Sequence, residues 1–358
     1  MNQGPDGANR RGRHAEQTHR DARGAIVGRA RSPPPARLPV TAFALPFRPY
    51  RVVVGHHLHA DMVAYIQARR PDLTVTGAPI PELRAEHFAE ADAFMAFKRP
   101  PGVADLGAVK WVHSTGAGVD GWLRGTPLDD GVLVTRSPEL FGGQITEWAV
   151  ARIFAIQQDL FRLHAAQQQR VWDQHEIPRV AGTNALLVGT GDIGRTMATA
   201  LKALGVHCVG VCRSGVSDCP AFDTVHTLSV LPHLMGDADW IILSLPDTPA
   251  THRLVDRTLL SHAEGAVLLN CGRGSVVEEA AIPEALDRGW LRAAVLDVFE
   301  VEPLPASSPL WLDPRVVLSP HMSGLTTVEG AASGFLECLE SLERGELPAW
   351  VIDRGRGY

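Results

Sequence analysis

Three residues in the last third of the chain have side chains that together suit hydride transfer to a carbonyl. They are Arg273 in Asn-Cys-Gly-Arg-Gly, Glu302 in Asp-Val-Phe-Glu-Val-Glu-Pro and His321 in Ser-Pro-His-Met-Ser-Gly. An arginine grips a carboxylate with a planar fork, a histidine passes one proton near neutral pH, and a glutamate beside it favours the charged ring. Taken singly, each has a structural reading: Arg273 as a loop cap, Glu302 as a turn acid, His321 as a satisfied histidine after Pro320. Together, at strand ends where open α/β sheets place their ligands, they suit reduction of a 2-oxo acid.

Upstream lies Gly189-Thr190-Gly191-Asp192-Ile193-Gly194. A bare GxGxxG is common by chance, so its context decides. Ala185–Val188 reads as a strand, Arg195–Leu204 as a helix ended by Gly205, and Val206–Val211 as the next strand, which completes a βαβ unit. Gly189 then permits the turn, Gly191 lets backbone N–H groups approach a pyrophosphate, and Gly194 lets helix and strand pack closely. A dinucleotide is the ligand this pattern implies. At the end of the second strand, where an acid roughly 20 positions on would bind the adenosine ribose, the chain has Cys212-Arg213-Ser214. Arg213 can pair with a 2′-phosphate and Ser214 can donate to it, so NADP(H) is favoured and NAD(H) is the alternative. Asp218 is near enough for a folded-back loop to restore ribose binding.

These residues need rigid elements to hold them. Short β-branched runs alternate with helical stretches at Arg51–Val54, Leu73–Thr76, Ala93–Phe97, Lys110–His113 and Val132–Thr135. After a helical stretch at Gln144–Gln158 the alternation resumes at Ala185–Val188, Val206–Cys212, Trp240–Leu245, Ala266–Asn270, Ala293–Val298 and Val316–Leu318. A last helix spans about 326–344. This is an α/β chain with two parallel-sheet lobes. The 358 residues suffice for two cores. Residues 1–46, polar and arginine-punctuated, read as a disordered extension.

Composition excludes little but points away from some partners. A net charge of −6 gives no reason to expect nucleic acid or an anionic membrane. No apolar run reaches the roughly 18 residues of a membrane span. Five cysteines without a CxxC pair fit reduced thiols in a cytoplasmic protein and argue against zinc. His56, His57 and His59 lack an accompanying acid or cysteine pattern, so no metal is assigned. Lys98 and Arg99 end an apolar strand and read as a solvated turn, with contact to the distal group of a substrate as the alternative.

From about Arg51 to Ile352 the chain resembles the D-isomer-specific 2-hydroxyacid dehydrogenases, close to the glyoxylate and hydroxypyruvate reductases. The glycine fingerprint, Ser-Leu-Pro-Asp-Thr-Pro-Ala-Thr251, Asn-Cys-Gly-Arg273-Gly, Leu-Asp297-Val-Phe-Glu-Val-Glu302-Pro and Pro-His321 carry the likeness. It implies two Rossmann-like lobes: a discontinuous substrate lobe of 47–145 with 325–352, and an inserted dinucleotide lobe of 146–324. It assigns Arg273 to the substrate carboxylate and carbonyl, His321 to acid-base catalysis, and Glu302, rather than Glu300, to the histidine. Backbone amides at Gly116, Ala117, Gly118 and Val119 would help Arg273 hold a small 2-oxo acid. Leu245, Pro246, Thr251 and Cys271 would line the cofactor. Asp297 would face the nicotinamide carboxamide, with a structural role as the alternative. Gln167–His175, containing Trp172, resembles the family's dimer arm and implies a homodimer, with an exposed connecting loop as the alternative. A phosphoglycerate dehydrogenase is disfavoured by the missing ribose acid and regulatory domain, and a formate dehydrogenase by Glu302. A nucleotide-sensing, co-repressor-like scaffold is the reading from outside enzymology.

Overall fold

The computed structural model describes residues 43–137 and 141–357. The expectation of disorder for residues 1–46 therefore falls, up to residue 42, outside the described residues. Beyond that point Phe43, Leu45 and Phe47 pack against the core of the first lobe.

That lobe holds five strands: β1 (Arg51–Gly55), β2 (Thr74–Ala78), β3 (Ala93–Ala96), β4 (Trp111–Ser114) and β5 (Leu133–Arg136). All neighbours are parallel, in the order β2-β1-β3-β4-β5. Helices cover both faces of such a sheet, so its strands read as continuous apolar runs. Ala93 to Ala96 and Trp111 to Ser114 are accordingly buried without interruption.

The second lobe holds β6 (Asn184–Val188), β7 (His207–Val211), β8 (Thr224–His226), β9 (Trp240–Leu243), β10 (Ala266–Asn270), β11 (Leu291–Leu296) and β12 (Val316–Leu318). Its order is β12-β11-β10-β9-β6-β7-β8, again all parallel. Strand order reverses between β6 and β9, and at such a switch point a crevice opens beyond the strand C-termini. The glycine turn follows β6 into this crevice, and Arg273 follows β10.

The two α/β lobes match the fold class expected from the alternation. Several element bounds differ by a residue or two, and three differences have a clear physical reason or size. The edge strand β8 was not foreseen, because three residues are too few to display a period of two. The long helix begins at Phe141 rather than Gln144, since Phe141 and Ile145 both bury in the second-lobe core. Strand β11 begins at Leu291 and ends at Leu296, two residues earlier at each end than read from the sequence.

After β12 the chain returns to the first sheet. The helix Val328–Glu343 places Ala331, Phe335, Leu339 and Leu342 in the cluster formed with Val52, Val54 and Trp111. Phe335 stacks on Trp111 with ring centres 4.6 Å apart and planes 9° from parallel. Burying one such ring contributes roughly 3 kcal/mol. The last segment then runs antiparallel to β5, with Arg136 N–H donating to the Trp350 carbonyl at 3.1 Å and Ile352 N–H to that of Val134 at 2.9 Å.

Candidate active site between the two lobes

The turn after β10 is fixed by Asn270. Its amide Nδ2 donates to the Arg273 carbonyl at 3.0 Å, and its Oδ1 accepts from Gly272 N–H at 3.1 Å. Arg273 is thereby held extended and aimed across the crevice. Its Nε donates to Asp120 Oδ1 at 2.9 Å and its Nη1 to the Gly272 carbonyl at 2.8 Å. Nη2 lies directly against Gly118, where an added Cβ would come within 1.4 Å of it. A residue of the second lobe thus meets the Gly116–Val119 loop of the first.

His321 Nδ1 pairs with Glu302 Oε2 at 2.8 Å, which leaves Nε2 as the ring nitrogen available for proton transfer. The other carboxylate oxygen, Oε1, accepts from Phe299 N–H at 3.1 Å. Partial burial alone would raise the Glu302 pKa. The hydrogen bond and charge of His321, the Phe299 N–H and the charge of Arg273 outweigh it, so the carboxyl sits below its ordinary value. All three expected catalytic residues therefore converge.

His321 has φ of 49°, in the left-handed region that a residue bearing a Cβ adopts at a cost. Its backbone N–H donates to the Asp297 carbonyl at 2.8 Å. The Asp297 side chain is fully buried and accepts from Ser319 Oγ at 2.6 Å, Met322 N–H at 3.0 Å and Ser323 N–H at 2.9 Å. Of the two roles open to Asp297, these contacts fit the structural one: both carboxylate oxygens brace the segment that carries His321. Trp148 extends the brace, its indole N–H donating to Ser319 Oγ at 2.9 Å. Neither Trp148 nor Ser319 was singled out from the sequence, because their partners lie 171 and 22 residues away.

The glycine turn has the geometry a dinucleotide needs. Gly189 has φ of 112°, and a Cβ at Gly194 would sit 1.9 Å from the Gly189 carbonyl oxygen. A Cβ at Gly191 would meet nothing within 4 Å. That open space lies at the N-terminus of the helix Asp192–Ala203, whose unpaired N–H groups and dipole suit a phosphate. The residues present fit a nicotinamide dinucleotide.

At the end of β7, where the adenosine end is expected, Cys212 Sγ lies 3.4 Å from Ser214 Oγ, and Arg213 is exposed. Asp218 pairs with Arg195 at 3.1 Å, which engages the one acid considered for ribose binding. Other expected cofactor contacts are occupied within the fold. Thr251 Oγ1 donates to the Pro246 carbonyl at 2.6 Å, and Cys271 Sγ to that of Leu243 at 3.2 Å. Burial pushes the Cys271 thiol up to about 12. Leu245 is half-buried against the second-lobe core.

His56, His57 and His59 sit beyond β1, where His56 Nδ1 accepts from Leu58 N–H at 3.1 Å. Burial, then the neighbouring rings, bring the His56 pKa down to about 4. Among the described residues no three His, Cys, Asp or Glu side chains are grouped to hold a metal ion. All five cysteines are free thiols. No described helix is long and apolar enough to cross a membrane.

Comparison with known proteins accords with this geometry. The family model described as D-isomer specific 2-hydroxyacid dehydrogenase, NAD binding domain, matches residues 150–323. Glyoxylate/hydroxypyruvate reductase A of Serratia proteamaculans is 30% identical over 271 residues, covering 73% of this chain and 86% of its own. A D-isomer specific 2-hydroxyacid dehydrogenase family protein from Aeromonas salmonicida superposes with a TM-score of 0.79 at 31% identity, covering 85% of this chain and 99% of its own. An NADPH-dependent glyoxylate/hydroxypyruvate reductase from Sinorhizobium meliloti, solved with NADP and sulfate, does so with a TM-score of 0.77 at 27% identity, covering 86% and 99%. The chain belongs to the D-isomer-specific 2-hydroxyacid dehydrogenase family and is a nicotinamide-dependent oxidoreductase acting on CH–OH donors.

Proposed function

We propose that the protein reduces a small 2-oxo acid of the glyoxylate and hydroxypyruvate class to the D-2-hydroxy acid, with NADPH preferred over NADH. The observation that carries this reading is the 2.8 Å pair of His321 and Glu302, set where the charge of Arg273 also reaches Glu302. The names of the Serratia and Sinorhizobium relatives support the substrate class, and the NADP bound to the latter supports the cofactor.

When bound, the reduced nicotinamide supplies hydride to the 2-carbon. The Gly189–Gly194 turn would hold its pyrophosphate, and Arg213 with Ser214 the 2′-phosphate. Arg273, with the amides of Gly116 to Val119, holds the substrate carboxylate and steadies charge growing on the carbonyl oxygen. Protonated His321 gives its Nε2 proton to that oxygen, and in oxidation the neutral ring takes it back. Glu302 fixes the ring and favours its cationic form. Asp297 holds the His321 segment in place.

In this reading residues 47–145 with 325–352 form the substrate lobe and 146–324 the nucleotide lobe. The enzyme works in the cytoplasm as a homodimer, and Trp172, 92% exposed on the expected arm, is the side chain a partner subunit would cover. The test is a panel of 2-oxo acids assayed with NADPH and NADH, following absorbance of the reduced nicotinamide. Turnover of glyoxylate or hydroxypyruvate with NADPH is expected. Inactivity across the panel with both cofactors rejects the reading.

A further inference from the structure

The short helix Asp120–Leu123 starts where the Gly116–Val119 loop ends, and it faces the second lobe with two charges of opposite sign. Asp120 accepts from Arg273 Nε at 2.9 Å. Arg124, which closes the same helix one turn on, pairs with Asp247. The two ion pairs therefore cross from lobe to lobe with their polarity reversed.

Each pair has one well-buried partner, Asp247 in one and Arg273 in the other. Asp247 has only 2% of its side chain exposed, and its Oδ1 has no hydrogen-bond partner, the nearest ring being His252 at 3.5 Å. A buried carboxylate so placed depends on the guanidinium opposite and would lose its partner cation if Arg124 were removed with the lobes closed. It also belongs to the Pro246–Thr251 segment, so the contact ties the rim of the dinucleotide crevice to the substrate lobe. Arg273, for its part, has Nε held by Asp120 and Nη1 by the Gly272 carbonyl, with Nη2 against Gly118. Two anchors on a planar group fix its rotation. The Nη2 side is then directed at the loop whose amides complete the anion site.

We propose that Asp120 is a positioning residue for Arg273, and that the Arg124–Asp247 pair is its companion latch. Together they close the lobes around a fork already oriented for a 2-oxo carboxylate. Orientation set before binding spares the substrate the cost of ordering the arginine, so it appears mainly in substrate affinity. The inference rests on Arg273 being the carboxylate holder, and its test separates the two.

Asp120→Ala, Asp120→Asn, Arg124→Ala and Arg273→Ala would be compared for KM and kcat with glyoxylate and hydroxypyruvate, and for NADPH dissociation by fluorescence quenching. Asp120→Ala is expected to raise KM about tenfold or more, the scale of one lost hydrogen bond to a charged group, with a smaller fall in kcat. NADPH affinity should be unchanged. Asp120→Asn keeps an Oδ1 acceptor for Nε and should recover most of the loss. Arg124→Ala should raise KM by a few-fold, and the Asp120→Ala/Arg124→Ala double variant should fall short of the product of the single effects, as coupled sites do. An unchanged KM in Asp120→Ala while Arg273→Ala is crippled overturns the inference and leaves the function intact. So does a loss in Asp120→Ala that weakens NADPH as much as substrate, which marks a merely structural residue. An Arg273→Ala variant with undiminished kcat/KM instead removes the carboxylate reading itself.

Discussion

Asp297 holds His321 twice: its carbonyl accepts the histidine's own N–H at 2.8 Å, and its buried carboxylate accepts the N–H of Ser323, two residues on, at 2.9 Å. The His321 ring is thus mounted on a segment with little freedom, despite its left-handed backbone. Replacing Asp297 with Ala would strip three donors of their acceptor inside the core. The expected cost is about 3 kcal/mol or more of folding free energy, read as a shift of the urea midpoint. Unchanged stability would mean that the brace is dispensable.

His321→Ala should lower kcat about a thousandfold, the usual scale for losing a positioned acid-base group. NADPH should still quench protein fluorescence with its original dissociation constant. Retained full activity would reject the proton-transfer role.

The glycine turn gives opposite expectations for two neighbouring positions. Gly194→Ala forces a Cβ to within 1.9 Å of the Gly189 carbonyl oxygen, so the variant should lose on the order of 3 kcal/mol of stability or fail to fold. Gly191→Ala meets no atom of the protein and should fold normally. Its methyl group would instead enter the space for the pyrophosphate and raise the NADPH dissociation constant about tenfold. Calorimetry and cofactor titration on both variants separate packing from binding.

Arg213→Ala should weaken NADPH by about tenfold while leaving NADH nearly unaffected, as expected for one lost phosphate contact. Equal effects on both cofactors would remove the basis for the NADP(H) preference.

His113 provides a pH test. Burial brings its pKa down from 6.5 to about 3, so the ring stays neutral in the fold while the unfolded chain takes up a proton below 6.5. Stability therefore rises with pH between about 3 and 6.5, is flat above that, and is lost as pH falls. The slope from this one group is at most about 1.4 kcal/mol per pH unit. Urea midpoints at pH 7 and 5 should fall less for His113→Gln than for the wild-type chain. An equal fall in both would assign the acid sensitivity elsewhere.

Local pattern made much of this molecule legible. The strands beneath the site are short apolar runs, the glycine turn stands between a recognisable strand and helix, and Arg273, Glu302 and His321 each sit in a compact run of neighbours at a strand end. What escaped were partnerships across distance. Arg273 and Asp120 are 153 residues apart, and nothing at either position names the other. Arg124 and Asp247 meet only because two lobes close, and Trp148 reaches Ser319 only because a long helix passes beneath it. Edge strand β8 has too few residues to print a periodicity, and the burial of Asp297 follows from the path of the chain after β12.

That path also sets an order of assembly. Because Phe335, Leu339 and their helix fill part of the floor beneath β1 and β4, the first five strands emerge from the ribosome with apolar surface that this helix covers only after the seven-stranded sheet has been made. The central seven-stranded unit can collapse while synthesis continues. The first sheet must wait for that helix, so a nascent chain stalled before residue 328 would leave this part of its apolar surface open to chaperones.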